Sequence, residues 1–172
     1  TVTSNGFEQG YQQGLQQYCE PSNTFALGRA GKGFPPQCPT DASNIVKARN
    51  WYNQGYIIYQ RLENINQQIA NINETIEQLN NEITPVLYTI RQLSSTIAQN
   101  KVELTNLENY PEKNKQEIQS VKQTILSYKT QRQTLKQGNK SKRRKIKQLQ
   151  KQLIALQEQQ TQLETQSTPP QN

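Results

Sequence analysis

The chain contains no histidine and no methionine, only two cysteines, and too few apolar residues to fill a thick core. Each shortage excludes something. Without His, a second cysteine pair or carboxylates clustered away from helix faces, a thiol nucleophile, a general acid–base pair and a transition-metal site all lack their parts. The sequence therefore reads as non-enzymatic, with no cofactor, no metal and no small-molecule substrate. No run of some eighteen apolar residues occurs, so no segment of the sequence reads as a membrane-spanning helix. The missing Met predicts a start upstream of Thr1 and removal of a leader, read as a secretory signal peptide. With 31% hydrophobic residues and a mean hydropathy of -0.97, a narrow apolar seam is what 172 residues of this composition can bury.

The two cysteines, Cys19 and Cys38, bracket a stretch rich in Gly and Pro. A disulfide is the expected use. It would close a loop of about twenty residues, restrict the unfolded chain by about 3 kcal/mol, and imply an oxidising compartment.

Phe7, Tyr11, Leu15 and Tyr18 recur at helical spacing and predict a short helix over 5–19 with one aromatic stripe. The Pro- and Gly-rich residues 20–40 read as an irregular connection. Within them Gly28-Arg29-Ala30-Gly31-Lys32-Gly33 lacks both the spacing and the hydroxyl of a phosphate-binding loop. A long helix is expected from about Asp41, capped by Thr40 or Asp41. Its aromatic start, Tyr52-x-x-Gly55-Tyr56-x-x-Tyr59, echoes Tyr11-x-x-Gly14-Leu15-x-x-Tyr18. Glycine is costly inside a helix, so Gly10, Gly14 and Gly55 are read as points where the first helix and the long helix approach closely, antiparallel, with aromatic rings between them. The rings would then form the core of the head, a ligand or glycan platform being the alternative.

From Leu62 the pattern is regular. Leu62, Ile65, Ile69, Ile72, Ile76, Leu79, Ile83, Val86, Ile90, Leu93 and Ile97 alternate three and four apart, and Leu104 and Leu107 continue the series after Asn100. This is a coiled-coil seam. A second seam in the same phase runs from Ile118 to Leu163, with Arg132, Asn139, Lys142 and Gln160 at seam positions, so this half should be weaker or specified for one register. Pro85 lies off the seam and reads as a solvent-side kink. Tyr110-Pro111 reads as a connection, with Pro111 opening the next helix. A reversal there makes an antiparallel hairpin approaching 80 Å at about 1.5 Å per residue. A continuous kinked rod, or a bundle turning at Gly138, fits the same periodicity.

The net charge of +7 is concentrated in Lys136 to Lys151. Lys140, Lys142, Arg143, Arg144, Lys145 and Lys147 form either a solvated face or a contact for anionic headgroups, lipopolysaccharide, nucleic acid or an acidic protein.

The string Gly6-Phe7-x-x-Gly10-Tyr11-x-x-Gly14-Leu15-x-x-Tyr18-Cys19-x-Pro21, with Phe25-x-x-Gly28-x-x-Gly31, Cys38-Pro39 and Tyr52-x-x-Gly55, resembles an uncharacterised family of Gram-negative cell-envelope lipoproteins over about residues 6–80. The resemblance implies export, a lipidated cysteine upstream of Thr1 and attachment to a membrane by the N-terminus. It implies no activity.

The expected fold is all-α: a short disulfide-stapled N-terminal helical head followed by long coiled-coil helices, with the antiparallel helical hairpin favoured. Its parts are the head over 1–60, a first arm over 61–109, a second arm with the basic segment over 110–166 and a tail over 167–172. The expected role is a structural component or adaptor of an envelope assembly in the periplasm, outer-membrane associated, holding a protein partner or a second copy through the coil. A binding protein for an anionic glycan, lipid or nucleic acid is the second reading, nucleic acid being disfavoured by the inferred compartment, and a secreted or surface effector is the third.

Overall fold

The computed structural model describes residues 2–169, with only the backbone of residues 2 and 3. Thr1 and the end of the expected tail, from Pro170 on, lie outside the described residues. The fold is all-α, with four helices and no strand among those residues: α1 Val2–Tyr18, α2 Pro21–Arg29, α3 Ile45–Leu107 and α4 Lys115–Thr165.

Helix α2 corrects the expectation of an irregular 20–40 segment. Pro21 stands at the start of the helix, where its missing N–H costs nothing. At the other end Gly31 adopts φ 70°, its N–H bonds Gly28 O at 2.9 Å, and Lys32 N–H bonds Leu27 O at 3.0 Å. That Schellman closure needs a left-handed residue, so the glycine-rich string is a helix stop. Helix α3 also begins later than Asp41. Ala42 N–H bonds Pro39 O and Ile45 N–H bonds Ala42 O, so tight turns precede the first helical bond, Ala48 N–H to Asn44 O at 2.8 Å.

The chain divides into two compact units, Thr1–Ala70 with Leu153–Asn172, and Asn71–Gln152. In the second, α3 and α4 form the antiparallel hairpin, and reversal at Tyr110-Pro111 prevails over Gly138, which lies inside unbroken helix. Pro111 sits in the turn and does not open α4; Asn114 does. Its side-chain N–H donates to Leu107 O at 2.9 Å, closing α3, while its own carbonyl accepts from Ile118 N–H at 2.9 Å. One residue thus satisfies orphan groups of both helices.

Ile83, Ile90, Ile97, Ile125, Ile146 and Leu149 are buried along the seam of this unit. Cross-helix contacts fix the register: Asn139 Nδ2 to Ile83 O at 3.3 Å, Arg132 Nη1 to Ser94 Oγ at 3.1 Å, and the Lys142–Glu82 ion pair at 3.2 Å. Helix α3 continues through exposed Pro85. Off the seam, the proline deletes only one backbone bond, and solvent reaches the carbonyl it leaves free.

In the first unit α2 packs on the start of α3, and Ile65 is buried where α3 runs beside the end of α4. Asn66 accepts from Gln160 Nε2 at 2.7 Å. Arg29 Nη2 donates to Glu164 O at 2.6 Å and Leu163 O at 3.3 Å. Helix α4 carries no basic residue in its last turn, so Arg29 supplies from α2 the cation that a helix C-terminus favours.

Candidate functional site

The head is built on one close crossing. A Cβ on Gly28 would overlap Tyr52 O and come within 2.8 Å of Tyr56 N, and one on Gly55 would overlap Phe25 O and come within 3.0 Å of Arg29 N. Only hydrogen at both positions lets the backbones meet. The expected close approach at Gly55 is therefore real, but its partner is α2. Gly10 and Gly14, expected to face α3, have open space around their Cα atoms. The reason is length: the connection from Cys19 to Cys38 itself contains a helix, and α2 takes the groove on α3 that α1 would have filled.

Thr24 and Ala48 seal the crossing. Both are fully buried, and Thr24 Oγ1 donates to Ala48 O at 2.7 Å. Around them Phe25 meets Trp51 edge-on at 6.3 Å and Phe34 meets Tyr52 edge-on at 5.4 Å, while Tyr52 OH donates to Lys32 O at 2.8 Å. Arg49 lies 4.7 Å over Phe34 and Lys47 lies 5.2 Å over Trp51. Tyr59 packs under Gly31. The aromatic rings of α2, of the loop after it and of α3 are thus core and rim of the head.

Cys19 and Cys38 form the expected disulfide, with Cα atoms 5.6 Å apart, and both are buried. The bond ties the end of α1 to the turn before α3. Apart from Cys19 at its end, only Leu15 among the described α1 side chains is even half-buried. Phe7, 74% exposed, stacks on Tyr11 at 6.4 Å, and Tyr11 and Tyr18 are 50% and 41% exposed. The α1 stripe therefore lies in solvent, contrary to its expected place inside the head. It borders a groove lined by Tyr11, Gly14, Leu15, Tyr18 and Gln37.

The basic segment does not act as one patch. Lys142 turns to the seam and pairs with Glu82. Lys140, Arg143, Arg144, Lys145 and Lys147 are exposed and make no ion pair among the described residues. Sequence reasoning stopped at this dense run and overlooked its surroundings. Between Ile118 and Gln157 lie eleven of the twenty Lys and Arg residues and none of the thirteen Asp and Glu. It also missed Arg29 at the end of α4, whose only signal was the Pro21-to-Gly31 helix frame that places it.

The first unit holds a disulfide-closed α-helical head, and its longest helix, α3, continues into the hairpin of the second unit. Residues 1–57, which are α1, α2, both cysteines and the Gly28–Gly55 crossing, match a family described as a protein of unknown function (DUF2799). No curated protein and no solved structure matches the chain.

Proposed function

We propose that this chain is a non-enzymatic structural component or adaptor of a bacterial cell-envelope assembly, with α1 as the surface that its protein partner covers. The observation that carries this is the aromatic and glycine face of α1. The hairpin uses its apolar seam internally, so the coil offers no free seam to a partner. Helix α1 does the opposite: it leaves Phe7 and Tyr11 in water beside three glycines with open space. Within the head, a glycine flanked by aromatics is where α2 docks on α3, and α1 presents the same combination unoccupied. The disulfide supports an oxidising compartment, and with the resemblance to envelope lipoproteins it supports the periplasm with attachment to the outer membrane.

A photo-reactive residue at Tyr11, compared with one at Ser127 on the arm, tests the reading in the cells that make the protein. A discrete protein adduct from position 11 alone, retained on high-salt washing, is expected. Adducts equal at both positions, or none at position 11, would remove α1 as the docking surface. Trapping of two free thiols before lysis would exclude the compartment.

A further inference from the structure

The heptad register sorts the cations of α4. With Ile118, Ile125, Arg132, Asn139 and Ile146 at position a, Lys115, Lys122, Lys129, Lys136 and Arg143 fall at five consecutive e positions. Lys140 and Lys147 fall at b, and Arg144 and Lys151 at f, on the same side of the helix. All are exposed. The e row repeats about every 10 Å, and from Lys115 to Lys151 the row extends about 54 Å at the α-helical rise.

Contacts across the hairpin identify the flank. Arg132 at a reaches Ser94, while Lys142 at d reaches Glu82, so the a and d edges of α4 face opposite sides of α3. The e row lies on the Ser94 side. There the e row of α3 contributes Asn73, Asn80, Leu87, Ser94 and Lys101, with no carboxylate in the row itself, while Glu77 and Arg91 stand at b and Glu74 at f. On the other side of α4 the c row carries Ser120, Ser127, Thr134 and Ser141, and the g row carries Thr124, Gln131, Gly138 and a single cation, Lys145. The charge is therefore polarised across the arm, where solvation alone would be met as well by an even distribution.

We infer that this e-side flank of α4 lies along an anionic phospholipid surface. A straight row of unpaired cations matches a plane of headgroups in sign and shape, and Leu126, 65% exposed at position b between Lys122 and Lys129, gives the row an apolar side chain to place among them. A single nucleic acid strand would call for aromatic rings interleaved with the cations, and the row has none, while a duplex, held through its phosphates alone, is the competitor that the test includes. The inference rests on the arm alone and is independent of the partner proposed for α1.

The test is co-sedimentation of the full chain with vesicles of phosphatidylcholine alone or with roughly 30 mol% phosphatidylglycerol, at low salt and at about 0.5 M salt. Two variants remove equal charge: Lys129→Gln, Lys136→Gln, Arg143→Gln on the flank, and Lys32→Gln, Lys113→Gln, Lys145→Gln off it. Binding only to the anionic vesicles, lost at high salt, reduced about tenfold or more by the flank triple and less than about threefold by the other, is expected. Circular dichroism checks that both triples keep the helical fold, and exchanging Leu126→Gln alone, which leaves every charge in place, gives a second, milder loss. Equal losses from both triples, binding to phosphatidylcholine alone, or preference for a short DNA duplex at equal phosphate concentration each overturn it.

Discussion

Two glycines with opposite surroundings give the sharpest prediction at the residue scale. Gly28→Ala should cost about 3 kcal/mol, because the added methyl strikes backbone that cannot move aside without separating α2 from α3. Gly10→Ala should instead stabilise the chain by about 0.5–1 kcal/mol, since its Cβ meets open space inside a helix. Thermal melts of the two variants, moving in opposite directions from the parent, check both. Asn139 is the other informative side chain. It is 2% exposed, its Nδ2 reaches across to Ile83 O, and its Oδ1 is buried without a partner among the described residues. Asn139→Leu should therefore raise the melting midpoint by a few degrees, by about 1–2 kcal/mol, while relaxing the register that the polar residue specifies. A lowered midpoint for the leucine variant would show that both ends of the amide are satisfied in solution.

At the scale of the element, helix ends matter more than helix interiors. The last turn of α4 is held by Arg29 and lacks a cation of its own, so Arg29→Gln should cost about 1–2 kcal/mol. It should also speed amide hydrogen exchange over residues 160–165 without changing exchange near Asn114. Legibility followed the same division. The seams are readable from the sequence position by position, because a three-four alternation of apolar residues makes one helix face and Pro85 lies off it, whereas the point of reversal is not, since periodicity carries no sign of direction. Helix α2 is hidden by its own punctuation: Pro21 and Gly31 read as breakers along the sequence, although proline opens and glycine closes a helix. The stripe on α1 was readable as a helix but not as an exposed one, because periodicity reports which residues share a face and not whether anything covers it.

For the whole molecule, the disulfide decides whether α1 belongs to the head. Leu15 and Cys19 are its only half-buried or buried described side chains, and an isolated helix of its 17 residues with three glycines is marginal in water. Reduction should cost about 3 kcal/mol of stability, seen as a lowered melting midpoint, and remove roughly a tenth of the helical circular dichroism, α1's share of the four helices. Full loss of the far-ultraviolet signal on reduction would instead make the bond essential to the arm as well.

The unit containing the head is assembled from two stretches of chain, and the intervening Asn71–Gln152 forms a unit by itself. This has a kinetic consequence. Contacts within the hairpin can zip outward from the Asn114 turn using near neighbours only, whereas Arg29 must wait for Glu164, 135 residues further along the chain. The disulfide, by contrast, spans 19 residues, so closure of the head should precede the Arg29 contact, and pulsed hydrogen exchange during refolding should protect residues 160–165 last.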